Sequence, residues 1–76
     1  MGNLQAEEFV SQVVSRLEQR RLAIGLSRRA LALRAGLDPR TVGLVERGER
    51  CPSLHTLFLL AEALELAPES LFEGLL

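Results

Sequence analysis

The sequence has no lysine, tryptophan or tyrosine, and only one cysteine and one histidine. A single thiol, Cys51, closes no internal disulfide; this excludes a disulfide-stapled secreted scaffold and fits a reducing cytoplasm. Cys51 and His55 are too few for a zinc site and have no carboxylate at ligand spacing. Cys51 reads as a small residue before proline, and His55 as an exposed residue in the first turn of a helix. No glycine-rich phosphate loop, Ser-His-Asp arrangement or pair of catalytic carboxylates can be assembled, which disfavours an enzyme. Nothing calls for a cofactor, a metal or a small-molecule ligand. With three Phe as the only aromatics, leucine, valine and alanine must fill the core, which suits helices better than a barrel or sandwich. No basic start precedes an apolar run, and no segment reaches the ~18 apolar residues that span a bilayer. The expectation is a soluble, cytoplasmic protein with an all-α fold, and residues 1–76 are expected to form one domain, too small for a deep pocket.

Charge is present but unevenly placed. The net charge is -1, yet all the arginines lie between Arg16 and Arg50, whereas residues 51–76 carry Glu62, Glu65, Glu69 and Glu73 and no lysine or arginine. An acidic total therefore conceals a basic half.

Periodicity and punctuation predict five helices. Phe9, Val13 and Leu17 recur every four residues, with Val10 and Val14 beside them, so residues 5–24 read as an amphipathic helix ending near Gly25. Ser27 caps a second helix that buries Leu31, Ala32 and Ala35 before Gly36. Asp38-Pro39 starts a third helix running to about Arg47, because the carboxylate caps open amides and proline's fixed φ suits the first helical position. Ser53 caps a fourth, with Leu54, Leu57, Ala61 and Leu64 inward. Pro68 opens a short fifth carrying Leu71, Phe72 and Leu75.

Residues 28–47 are then two short helices joined by Ala35-Gly36-Leu37-Asp38. A steep crossing needs a small residue underneath, supplied by Ala32, and a tight turn needs positive φ, supplied by Gly36. Val42 and Val45 seat the third helix. At this spacing the features make a helix-turn-helix signature.

Arg21, the run GLSRRALALRAGLDPRTVGLVERGERCPSLHTLFLLAEALEL and the later PESLF resemble the Xre-type family of phage-repressor-like domains, the group that contains the Cro and CI repressors. That family's pattern is G-L-S-Q-x-x-L-A, a glycine turn, an I-E-x-G helix end, P-S-L and a leucine-rich fourth helix. The resemblance implies a five-helix domain that binds double-stranded DNA as a homodimer, with the third helix in the major groove. Size and organisation also resemble the controller proteins of restriction-modification systems; antitoxins of the family are another possibility.

Helical geometry fits this. With Val42, Val45 and Glu46 inward, Arg40, Leu44 and Arg47 turn outward, flanked by Thr41 and Gly43. Arg40 is the candidate for paired bonds to guanine O6 and N7, Thr41 for a thymine methyl or a phosphate, Leu44 for thymine methyls, and Gly43 for close approach. Ser27, Arg28, Arg29, Arg47 and Arg50 are candidate phosphate contacts. The family usually has glutamine at the position of Arg28, so any amide-specific contact there is in doubt. Arg21 continues the Phe9, Val13, Leu17 series, and Glu46 follows Val42 by four, so both charges point to apolar sides and need each other. The resemblance implies the same salt bridge.

Leu59, Leu71, Phe72, Leu75 and Leu76 are more apolar surface than one small core hides, which predicts an isologous dimer through the C-terminal helices. Leu4 and Phe9 offer a second contact. The rival reading is an antitoxin or adaptor holding a partner polypeptide on Leu22, Ile24, Leu33, Leu44 and Leu59. A weaker third is an architectural DNA binder without sequence preference.

Overall fold

The computed structural model describes residues 5–75; Leu4 and Leu76, both considered above as subunit contacts, lie outside them. Four α-helices follow in order: α1 (Ala6–Ala23), α2 (Arg28–Arg34), α3 (Thr41–Glu46) and α4 (Leu54–Ala63). A 3-10 turn, Pro68–Leu71, completes the described elements.

Helix α1 forms because its apolar residues share one stripe and its charges suit the helix dipole: Glu7 and Glu8 occupy the first turn, Arg20 and Arg21 the last. It buries Val13, Val14, Leu17 and Arg21. The shorter helices depend on their caps. Ser27 Oγ accepts from the Ala30 amide at 3.0 Å and Ser53 Oγ from the Thr56 amide at 3.0 Å, each satisfying an otherwise open donor. Helix α2 ends with Gly36 at φ +75°, where the Leu37 amide donates back to Ala32 O at 2.8 Å and reverses the chain toward α3. The same geometry ends α4, but on Glu65, a side-chain-bearing residue at φ 55°.

Val13 and Leu17 of α1, Leu31 and Ala32 of α2, Val42 of α3, Leu60, Ala61 and Leu64 at α4, and Leu71 close a single core. Ala32 is fully buried, and its small side chain lets α2 and α3 cross closely.

Three expectations are corrected. Leu54 is not inward; at 78 % exposure it stands in solvent, and Leu60 takes the buried position one turn and a half later. Helix α3 starts at Thr41 rather than Pro39, because Asp38 folds the preceding residues into a turn. Its carbonyl accepts from the Thr41 amide at 2.9 Å, and its carboxylate accepts from the Arg40 amide at 2.8 Å. The fifth helix is only a 3-10 turn. Ala67 gives no side-chain cap, the Ser70 amide donates to Ala67 O three residues back, and Arg16 Nη1 donates to the carbonyls of Ser70 and Leu71 at 3.0 and 3.3 Å. Those carbonyls are thereby drawn to a side chain instead of a following helical turn.

Candidate nucleic-acid interface

The short helix α3 is held by its buried face. Val42 and Val45 are buried, and Glu46 at the helix end keeps its carboxylate nearly closed to solvent at 3 % exposure. Arg21 of α1 meets that carboxylate through two bonds, Nε to Oε2 at 2.7 Å and Nη2 to Oε1 at 2.9 Å, while Nη1 donates to Leu26 O at 2.9 Å. The bonded carboxylate raises the Arg21 guanidinium's pKa, and burial opposes it only in part. Arg28 of α2 adds a third bond, Nε to Glu46 Oε1 at 2.7 Å. One carboxylate thus ties α1, α2 and α3 together and fixes how α3 sits on the domain.

Five arginines are exposed on the helix-turn-helix unit and its flanks, two at the start of α2 and three before and after α3. Arg40 stands just ahead of it, with its side chain 85 % exposed. Its Nε and Nη2 donate to Asp38 Oδ1 and Oδ2 at 3.2 and 3.5 Å. This side-chain bond, then the bond from the Arg40 amide, hold the Asp38 carboxyl below the usual carboxylate range; the Arg50 charge lowers it further. Arg47, at the far end, donates to Glu49 Oε2 at 2.9 Å, and its guanidinium lies across Gly43. Arg28 is partly exposed on Glu46, and Arg29 and Arg50 are exposed.

The remaining four arginines are structural. Besides Arg21, Arg20 Nε donates to Leu64 O at 3.0 Å, Arg34 Nη1 to Ala63 O at 3.5 Å, and Arg16 to the 3-10 turn. They satisfy open carbonyls where α4 and the turn end. Sequence reasoning gave Arg16, Arg20 and Arg34 no role; their acceptors are backbone atoms tens of residues away, which leave no mark in the sequence.

Several candidate side chains sit differently from the flanks and faces expected of them. Thr41 is buried at 7 % exposure, and Gly43 is buried beneath Arg47, so neither of these flanking residues is open. Leu44 is half-buried. Ser27 Oγ is engaged as the α2 cap. Away from α3, Leu71 belongs to the core at 1 % exposure and is removed from the set of surface contacts; Leu59 and Leu75 are half-buried. Phe72, also half-buried, stacks on Phe9 with ring centroids 5.9 Å apart, so each ring has an intrachain partner. The exposed apolar surface of α4 is instead Leu54 and Phe58, the latter 51 % exposed, beside a shallow cavity of about 260 Å³ lined also by Leu57, Pro68, Leu71 and Phe72. Of the leucine set assigned to a partner polypeptide, Leu22, Ile24 and Leu33 are exposed, whereas Leu44 and Leu59 are half-buried. No helix among the described residues is long and apolar enough to cross a membrane.

A small residue under the α2–α3 crossing, a glycine turn, a buried acid anchor and arginines around α3 define a helix-turn-helix domain of the DNA-binding, transcription-regulating class. The chain belongs to the HTH_3 helix-turn-helix family, whose model matches residues 17–71. It is similar to the restriction-modification controller protein C.AhdI from Aeromonas hydrophila, with 45 % identity and a TM-score of 0.76 over 86 % of this chain and 97 % of that one. The controller protein C.Esp1396I is 28 % identical, with a TM-score of 0.79 over 86 % of this chain and 83 % of that one. An HTH_3 family transcriptional regulator from Vibrio cholerae is 34 % identical, with a TM-score of 0.81 over 90 % of this chain but 38 % of that longer one. No curated protein matches the chain.

Proposed function

We propose that this helix-turn-helix regulator occupies a roughly palindromic DNA operator as an isologous dimer, and that it serves as the controller of a restriction-modification system. The observation that carries the DNA reading is the division of labour among the arginines. Four are bonded to carbonyls or to the buried Glu46 within the fold, while Arg28, Arg29, Arg40, Arg47 and Arg50 are exposed on the helix-turn-helix unit and its flanks, where such a domain meets a major groove. Arg40 reads a guanine; Arg28, Arg29, Arg47 and Arg50 hold phosphates. Engaging DNA swings Arg47 off Gly43 and opens the middle of α3 to the base edges, where Leu44 meets a thymine methyl; the buried Thr41 is not among the contacts.

The dimer forms through the Leu54 and Phe58 surface of α4, with Leu59 and Leu75 at its margin. Two copies of α3 then lie ~34 Å apart, one duplex turn. The controller role rests on the likeness to C.AhdI, which extends over nearly that protein's whole length. Such a protein acts by where it sits, blocking or recruiting polymerase according to operator position.

Selection of bound duplexes from a random pool tests this reading. The expected product is a symmetric sequence with two half-sites, bound by a species that sediments as a dimer at tens of micromolar. Tight binding without a preferred sequence identifies an architectural protein instead. No duplex binding, with a partner polypeptide held at Leu22, Ile24 and Leu33, identifies an antitoxin or adaptor.

A further inference from the structure

Arg40 and Asp38 form an exposed pair two residues apart, with the carboxylate itself 52 % exposed. Such a pair adds little to stability, so its geometry needs another account. The Asp38 carboxylate accepts from Nε and Nη2, the side edge of the guanidinium, and from the Arg40 backbone amide. These contacts within one turn, at 2.8, 3.2 and 3.5 Å, cap the residue ahead of α3 and turn the side edge of the guanidinium toward the carboxylate. Arg28 and Arg47 differ: each donates to its acid from Nε alone. Among the described residues, only the buried Arg21 also gives both side-edge donors to one carboxylate.

With the side edge occupied, Arg40 has the end-on pair of N–H bonds, one from Nη1 and one from Nη2, left to offer a ligand. Two parallel donors match the O6 and N7 acceptors of guanine. A guanidinium already neutralised on its side edge is also a poorer partner for phosphate, whose attraction depends on charge.

We propose that Asp38 is a specificity-determining residue: it positions Arg40 for guanine and withholds it from the phosphate backbone. This rests on the operator-binding reading above. In that role Asp38 contributes to discrimination between sequences and subtracts from binding to arbitrary DNA.

The test uses the full chain with the selected duplex, the same duplex with the Arg40-dependent guanine pair replaced, and an unrelated duplex. Asp38→Ser keeps an oxygen able to cap the Arg40 amide but does not span to the guanidinium; Asp38→Asn keeps the cap and removes the charge. The expected result for Asp38→Ser is about a tenfold loss of discrimination at that base pair, with an unchanged melting temperature and equal or tighter binding to the unrelated duplex. Asp38→Asn falls between it and the wild type. In an Arg40→Ala background, Asp38→Ser has no further effect on discrimination. Full discrimination in Asp38→Ser overturns the proposal, as does an equal loss on all three duplexes or an equal effect with and without Arg40. A wild-type chain that prefers no duplex overturns the operator reading itself, which separates the two failures.

Discussion

Glu46 closes around Arg21 with two nearly equal bonds, 2.7 and 2.9 Å, at a place where the carboxylate is 3 % exposed. The pair joins the last turn of α1 to the last turn of α3 and so sets the angle at which α3 leaves the domain. Because Arg28 shares the same carboxylate, the orientation of α3 and the placement of a candidate phosphate contact depend on one side chain.

Removing Glu46 leaves Arg21 buried with only the Leu26 carbonyl. Glu46→Ala is expected to lower unfolding free energy by about 3 kcal/mol, measured by urea denaturation. Stability falls more than base recognition is directly weakened, since Glu46 faces inward. Unchanged stability with lost DNA binding would place Glu46 in recognition instead.

Glu65 ends α4 in a backbone conformation that favours glycine. Glu65→Gly removes that strain and is expected to stabilise the domain by up to about 1 kcal/mol, raising the melting temperature by roughly 4–8 °C per kcal/mol for a domain this small. A fall in melting temperature would mean that the carboxylate contributes more than the backbone strain costs.

The two apolar residues Leu71 and Phe58 separate fold from assembly. Leu71→Ala empties a core site and is expected to cost about 2–5 kcal/mol. Phe58→Ala leaves the unfolding of the isolated subunit almost unchanged while weakening the dimer in sedimentation. Equal dimerisation in the Phe58 variant would move the interface off α4.

Gly43 tests how Arg47 covers α3. A methyl group there meets Arg47 Nη1 at 2.9 Å, and the next two nearest atoms outside the local helix backbone belong to the same guanidinium. Gly43→Ala is therefore expected to push the guanidinium aside and gain up to about 1 kcal/mol from helix propensity. Its Arg47→Ala double variant should show no additional displacement effect on DNA affinity. Destabilisation by Gly43→Ala would show that the guanidinium cannot yield.

The helical punctuation was readable because the controlling atoms are local. Ser27, Ser53, Gly36 and Asp38 each act within a few residues of themselves. The meeting of Arg21 with Glu46 was readable for a different reason: two charges on apolar stripes have few ways to avoid isolation. What escaped depends on distant or competing contacts. The last helical segment loses its carbonyls to Arg16, 54 and 55 residues away. Leu71 looks like surface in a short terminal helix, but the 3-10 turn points it into the core. On α4 several leucines compete for one inward stripe, and the pattern alone does not decide that Leu60 wins over Leu54. At the interface, the sequence supplies the arginines but not their acids. Asp38 beside Arg40 reads first as a helix cap.

The most direct test of the account is a competition titration comparing the wild type, Arg40→Ala and Arg29→Ala on the selected duplex and on its single-base variants. Arg40→Ala should lose about 1–3 kcal/mol of discrimination at one base pair of each half-site while keeping its preference elsewhere. Arg29→Ala should weaken every duplex alike and reduce the salt slope by about one. Uniform weakening by Arg40→Ala, with every base preference retained, would contradict the claim that α3 presents a guanidinium to the base edges.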